Sequence, residues 1–282
     1  MKISLFSLLF YIVIAGCHNR QLSSTTPIRQ DTSVKTDLTN SSAHASKLMA
    51  GAATIMARKE VPVLCYHHIR DLQMPGKADK GYEVTVDEFR QQMKILSDSG
   101  FHTISPDQLY DYLAYGAELP PDPVMITFDD TDEEQFTIGK TEMDKYGFKG
   151  VYFIMTVSIG RPGYMTKEQI KQLADEGHAI ECHTWNHSMV TQYTGDDWQI
   201  QLDKPRKKLQ DITGRKVDYF AYPYGLWNEA AIPQLRNRDY KMAFQLSTKR
   251  EPNEPLFTVR RMIVSPDWSS RGMIQVMKRT FH

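Results

Sequence analysis

From Val61 to Arg279, short apolar runs alternate with capped amphipathic segments, and this alternation restricts the chain to a narrow class of folds. Val61–Tyr66, His102–Ile104, Val124–Phe128, Gly150–Thr156, Ala179–Cys182, Val217–Tyr222, Met242–Leu246 and Phe257–Val264 read as strands. Thr85 with Glu88 forms a capping box ahead of Phe89, Met93 and Leu96 on one helical face, and Gly100 is the stop. Ser105 caps a helix that opens on Pro106. Thr166, with Gln169 at the capping-box position, begins another that ends at Gly177. Further helices are predicted from Glu134 to Tyr146, Asp196 to Ile212, Asn228 to Asn237 and Trp268 to Arg279. The pattern specifies an α/β architecture with a largely parallel sheet, and both an open doubly wound sheet and a closed barrel satisfy it. No glycine-rich phosphate fingerprint follows the first strand, which argues against a nucleotide site.

The run Val124–Phe128 ends abruptly in Asp129-Asp130. Adjacent carboxylates repel, so at least one needs a cation or a proton. Further along, Glu181-Cys-His183-Thr-Trp-Asn-His187 places two imidazoles four residues apart, again after an apolar run. One Asp with two His is a common ligand set for a catalytic divalent metal and leaves a coordination position open. His67, Asp129, Asp130, His183 and Tyr224 all fall at or just past the C-terminal ends of four different predicted strands. That is the face on which (β/α) barrels gather their catalytic residues, so the polar residues favour the barrel.

The N-terminus sets the compartment. Lys2 is a minimal positive region, and Ile3 to Ile14 is an apolar segment too short to span a bilayer. Ile14-Ala15-Gly16-Cys17 follows, resembling the bacterial lipoprotein signal that is cut before a lipidated Cys; an ordinary secretory signal cleaved nearby is the alternative. Residues 1–17 are therefore expected to be a signal peptide ending at Cys17. Residues 18–60, rich in Ser, Thr, Asn, Gln and Lys, read as a flexible tether, and 61–282 as one domain. The expected location is membrane-anchored, facing the periplasm or cell exterior. With 34 basic and 34 acidic residues, nothing in the charge favours nucleic acid. Of the remaining cysteines, Cys65 and Cys182 both read as buried and apolar, Cys182 aimed opposite to His183 by strand alternation; a disulfide between them is left open.

Taken together, Leu64-Cys-Tyr-His67, Thr127-Phe-Asp-Asp130, His183-xxx-His187 and Tyr222-Pro-Tyr-Gly225 resemble, in order and spacing, the successive motifs of the NodB-homology polysaccharide deacetylases, carbohydrate esterase family 4. The look is closest to the exported poly-N-acetylglucosamine deacetylases. The resemblance runs from about residue 61 to the C-terminus. It implies a distorted (β/α) barrel that binds Zn²⁺, with Co²⁺, Ni²⁺ or Fe²⁺ as other candidates. Asp130, His183 and His187 would be the metal ligands, Asp129 the general base and His67 the general acid. Tyr224 would stabilise an oxyanion through its backbone N–H. His68 adjoins His67, and strand phase does not separate the two; only the resemblance selects His67. The chain departs from the family at Thr131, where Gly is usual and a side chain is expected to narrow the cleft or alter the turn. It also departs at Ala221-Tyr222, which lacks the Arg that orients the catalytic Asp in many members. Arg260 or Arg261 is a candidate for that charge role, with a surface role equally open, and Asp267-Trp268 a candidate for the motif that tunes the acid.

The chemistry of those residue types agrees. An acetamide is a poor electrophile, so its carbonyl must be polarised, its attacking water activated and its departing nitrogen protonated. His suits the last task because it titrates near neutrality. Tyr222, Trp185 and Trp268, with Tyr224 and Trp227, offer flat surfaces for sugar rings, although aromatics at this density also build cores. His178 reads as a surface residue in a turn. The leading expectation is a metal-dependent N-deacetylase acting on N-acetylglucosamine units of a cell-envelope or exported polysaccharide. The alternatives are an acetylxylan-like O-esterase and a lipid-anchored glycan-binding protein with little turnover. Oligomeric state is not legible.

Overall fold

The computed structural model describes residues 48–71, 81–246 and 248–281, within a unit spanning Ser46–His282. Residues 1–17, the lipidation candidate Cys17 and residues 18–47 of the expected tether lie outside the described residues. Ten strands occur among them: β1 (Val63–Tyr66), β2 (His68–Ile69), β3 (Glu83–Val84), β4 (His102–Thr103), β5 (Pro123–Asp129), β6 (Gly150–Ile154), β7 (Ala179–Cys182), β8 (Tyr219–Ala221), β9 (Met242–Phe244) and β10 (Met262–Ile263). The main sheet runs β10-β1-β5-β6-β7-β8-β9 with every pairing parallel, and β4 pairs with the start of β5. β2 and β3 form a separate small ladder.

The predicted barrel is observed as a curled parallel sheet surrounded by helices. Its two edges approach through one segment. Val259 N–H donates to Ala243 O at 3.0 Å, and Gln245 N–H donates to Val259 O at 2.9 Å; three residues later Met262 and Ile263 pair with β1. This switch between edges explains why the continuous strand expected over Phe257–Val264 is broken in two. It also leaves little unpaired edge.

A parallel sheet wrapped by helices is buried on both faces, and β5 is buried from Val124 through Asp129. Alternation divides its side chains. Phe128 faces the helices, stacked on Tyr152 at 4.8 Å between ring centres, with Tyr66 at 5.7 Å. Thr127 and Asp129 face the barrel interior, where both meet Arg261. The helices are α1 (Ala52–Ala57), α2 (Val86–Asp98), α3 (Pro106–Tyr115), α4 (Thr141–Asp144), α5 (Lys167–Asp175), α6 (Lys204–Thr213), α7 (Ala231–Arg236) and α8 (Ser270–Thr280). The capping boxes at Thr85/Glu88, Ser105/Gln108 and Thr166/Gln169 form as their sequences dictate.

Two of the expected long helices open instead with π-helical turns, Gln135–Lys140 before α4 and Gln199–Asp203 before α6. Pro205 has no N–H for the regular helical bond to Gln201, which accounts for the second. Each wide turn carries a buried Gln that fastens a loop of the site. Gln135 Nε2 donates to His67 O at 2.8 Å and to Asp129 O, and Gln201 Oε1 accepts from Trp185 N at 3.2 Å.

Two expectations are corrected here. The tether does not extend to Glu60: Ile55 of α1 is buried in the core, Ala50 N–H donates to Ala114 O at 2.7 Å, and Glu60 pairs with Arg260 at 2.7 Å. Apolar spacing around Ile55 is too short to register as a periodic pattern. His178 is not a surface residue; it is buried, with Nδ1 accepting the Gly150 N–H at 3.0 Å. Cys65 and Cys182 are buried free thiols, in line with their apolar reading, and the disulfide left open between them is not formed. Among the described residues no helix is long and apolar enough to cross a membrane.

Candidate active site

The loops that follow β1, β5, β7 and β8 meet around a cleft of about 190 Å³. It is lined by His67, His68, Tyr82, Asp129, Asp130, His183, His187, Tyr224, Gly225, Leu246 and Arg261. A larger groove of about 880 Å³ lies between α5 and α6, but its Lys, Asp and Glu side chains are a solvated helix surface without convergent polar groups.

Parallel strands all deliver their chain reversals to one end, which is how motifs far apart in sequence converge here. The reversals are tight. Asp130, Thr131, Thr184, His187 and Tyr224 all have positive φ, five of the seven non-glycine residues among the described ones that do. Such conformations cost energy in residues with side chains and persist where surrounding contacts over-determine them. At Thr131 those contacts are clear. Its hydroxyl accepts from Met155 N–H at 2.8 Å and donates to Met155 O at 3.3 Å, and the residue is fully buried. Its side chain therefore points into the end of β6 and does not narrow the cleft, the first of the two effects expected here; the second, an effect on the turn, is where its positive φ bears.

Asp130 Oδ1 lies 3.5 Å from His183 Nε2 and 3.4 Å from His187 Nε2. His183 Nδ1 donates to Ala221 O at 2.8 Å, which turns Nε2 toward Asp130. Asp130 Oδ1 and His183 Nε2 are both buried without a hydrogen-bond partner. Burial holds the His187 imidazole down to about 4, with His183 adding to the effect. At His183 burial is outweighed by Asp129 and Asp130, whose negative charge raises its pKa. A carboxylate and two imidazoles converging at a point that draws positive charge are what a divalent cation satisfies, and these residues fit one.

Asp129 is a different kind of carboxylate. Burial would raise its pKa, but the Arg261 guanidinium, followed by His183, outweighs burial and holds it well below the usual carboxylate range. Arg261 Nη1 donates to Oδ1 at 2.6 Å and Nη2 to Oδ2 at 2.8 Å. The same Asp129 Oδ2 lies 4.0 Å from His67 Nε2 and 3.7 Å from Cys65 Sγ. Burial lowers the pKa of His67, outweighing the attraction of Asp129 and Asp130. Its ring leans on Tyr82, 5.1 Å between centres.

Of the motif residues, Asp129, Asp130, His67, His183, His187 and Tyr224 are brought together. Tyr224 is half exposed at the mouth, its ring 4.4 Å from that of His187. Tyr222 is not available to a sugar: it is fully buried on the outer side of β8 against Phe220, 5.3 Å between ring centres. Trp185 and Trp268 do not line the cleft either; Trp185 is exposed outside it and Trp268 packs against the core ahead of α8. Trp227 Nε1 donates to Gln245 Oε1 at 2.7 Å, a structural bond. Asp267 is exposed and is not among the groups around His67. The charge role offered to Arg260 or Arg261 falls to Arg261; Arg260 pairs with Glu60. Tyr82, Leu246 and Cys65 carried no motif that marked them for the site, although Cys65 sits inside the Leu64–His67 stretch in phase with Asp129.

The sequence model of the polysaccharide deacetylase family matches residues 116–243. A Bacillus subtilis protein designated to that family, YxkH, is 28% identical over 218 residues, 74% of this chain and 73% of its own length. A poly-beta-1,6-N-acetyl-D-glucosamine N-deacetylase of Staphylococcus aureus is 25% identical over 230 residues, 72% of this chain and 78% of its own. Among solved structures, the Streptococcus pyogenes deacetylase PplD, in complex with acetate, superimposes with a TM-score of 0.72 at 23% identity, covering 77% of this chain and 98% of that one. At that identity the likeness is one of fold.

Proposed function

We propose that this chain is a polysaccharide deacetylase, a hydrolase of linear amides: a metal-dependent enzyme removing N-acetyl groups from N-acetylglucosamine units of a cell-envelope or exported polysaccharide. The observation that carries the reading is the pairing of two unlike carboxylates. Asp130 faces the ring nitrogens of two imidazoles, and Asp129 is kept ionised by a buried guanidinium.

Asp130, His183 and His187 would hold the cation. A divalent ion there, Zn²⁺ being the first candidate from the donor set, supplies Lewis acidity toward the acetyl oxygen and acidifies a water. Asp129 accepts the proton released by the attacking water. Arg261 keeps this carboxylate ionised and so able to take a proton. Its Oδ2 lies 4.0 Å from His67 Nε2, so the proton has a short path to the imidazole. His67, neutral at rest, then delivers a proton to the departing nitrogen, without which the C–N bond does not break. The Tyr224 backbone N–H would meet negative charge developing on the acyl oxygen. Tyr224 and Tyr82 are the aromatic surfaces at the mouth suited to a sugar ring.

Export as a lipoprotein anchored through Cys17 belongs to the same reading and is supported by the sequence of residues 1–17. The test is acetate release from chitooligosaccharides, poly-N-acetylglucosamine, peptidoglycan and acetylxylan, after chelation and re-addition of defined metals. Activity should return with metal on the N-acetylated glycans and vanish in Asp129→Asn. Unchanged release by that variant, or release unaffected by chelation, refutes the mechanism.

A further inference from the structure

We propose that His68, Asp132 and Glu134 form a second binding site, for a divalent first-row transition ion, on the wall of the same cleft. His68 Nδ1 lies 3.2 Å from Asp132 Oδ2 and 3.3 Å from Glu134 Oε1, and the three ligand atoms all lie within 4.8 Å of one another. The backbone of each side is anchored independently. His68 begins β2, which is paired to β3, and Asp132 makes an antiparallel bridge with Tyr164 while its carbonyl accepts from Gln135 N at 3.1 Å.

Asp132 is the observation that points to a ligand. The residue is 7% exposed, and its Oδ2, aimed at the other two side chains, is buried with no hydrogen-bond partner. His68 Nδ1 stands between Asp132 Oδ2 at 3.2 Å and Glu134 Oε1 at 3.3 Å, and its one hydrogen bond goes to Glu134, so the two carboxylates compete for a single ring nitrogen that cannot serve both. A buried carboxylate oxygen in that state is costly, and a cation bonded by all three groups satisfies it. Arg70, the positive side chain that pairs nearby, is hydrogen-bonded to Glu83 through Nε at 3.0 Å. One imidazole nitrogen with two carboxylate oxygens suits Zn²⁺, Mn²⁺ or Fe²⁺ better than the all-oxygen cations Ca²⁺ and Mg²⁺. The side chains of His68 and Glu134 are 22% and 19% exposed, which leaves an entry path.

The proposed mechanism uses none of these three residues. Their ion would tie β2, adjoining His67, to the loop after Asp130, and so brace the cleft wall between the acid and the catalytic metal.

The test is equilibrium dialysis of the chelator-stripped protein against Zn²⁺, with bound metal counted by elemental analysis and folding checked by circular dichroism. Wild type should bind two equivalents. His68→Gln and Glu134→Gln should each bind one, and Asp130→Asn should retain one, lost when combined with Glu134→Gln. Glu134 is partly exposed, so its variant is expected to fold even if an Asp132 variant does not. A wild-type count of one, or counts in both His68→Gln and Glu134→Gln equal to wild type, overturns the second site. If Asp130→Asn then binds none, the proposed function survives that failure; if Asp130→Asn matches wild type, the catalytic centre is what fails.

Discussion

Arg261 grips Asp129 through two parallel hydrogen bonds, both side chains buried, across 132 residues of sequence. A guanidinium fork matches a carboxylate in this way and a lysine does not. It comes from the segment that joins the sheet edges, so the orientation of the Asp129 carboxylate depends on closure of the barrel. Arg261→Met should leave a buried carboxylate without its counter-charge, at about 3–5 kcal/mol in stability. Acetate release should fall about 10²-fold or more, and Arg261→Lys should lie between. Thermal melting and kcat/KM on one substrate check both; wild-type values in Arg261→Met would remove Arg261 from any orienting role.

Thr131 separates strain from bonding. A β-branched residue at φ 79 is strained, on the order of 1–3 kcal/mol, while its hydroxyl satisfies two backbone groups of Met155. Thr131→Val keeps the strain and loses both bonds, so it should destabilise by about 2 kcal/mol or more. Thr131→Gly loses the bonds but relieves the strain and should be close to neutral. Because the side chain faces away from the cleft, relative activity across the glycan panel should be unchanged in both. A shift in substrate preference would contradict that orientation.

At Gly225 the chain passes too close to Leu246 for a side chain. An added Cβ would lie 2.6 Å from Leu246 Cγ and 2.8 Å from its backbone nitrogen, at φ 68. Gly225→Ala should therefore cost about 2 kcal/mol or more and displace the neighbouring Tyr224. A melting curve and KM for the glycan report the two effects; a silent substitution would mean that the wall yields freely.

His178 links stability to pH. Burial lowers its pKa to about 4, with Lys149 adding to the effect. The unfolded chain, near 6.5, takes up the proton first, so this contribution is complete above about pH 6.5 and is eroded as pH falls toward 4. The loss amounts to at most about 3.5 kcal/mol, from roughly 1.4 kcal/mol per pH unit. His178→Asn keeps an acceptor for the Gly150 N–H and removes the titration, so urea midpoints of variant and wild type should converge as pH drops. Parallel curves over that range would show that His178 titrates alike in both states.

Much of this was written locally. The apolar strand runs, the three capping boxes and the order of the Tyr-His, Asp-Asp, His-xxx-His and Tyr-Pro-Tyr-Gly motifs are short-range patterns, and they were enough to specify a parallel α/β barrel and its polar end. Which of two neighbours faces inward was decided only in three dimensions. His67 enters the cleft beside Asp129, and His68 turns to Asp132 and Glu134. Arg261 reaches the barrel interior, and Arg260 goes to Glu60. Tyr222 is buried behind β8, and Thr131 is clamped onto β6. The physical reason is common to all of them. A side chain's direction follows from strand phase, but which surface lies on each side follows from how the sheet curls and which segment closes it. Those contacts join residues 24 positions apart, as Thr131 with Met155, or 132 apart, as Asp129 with Arg261, beyond the reach of any periodicity in the sequence.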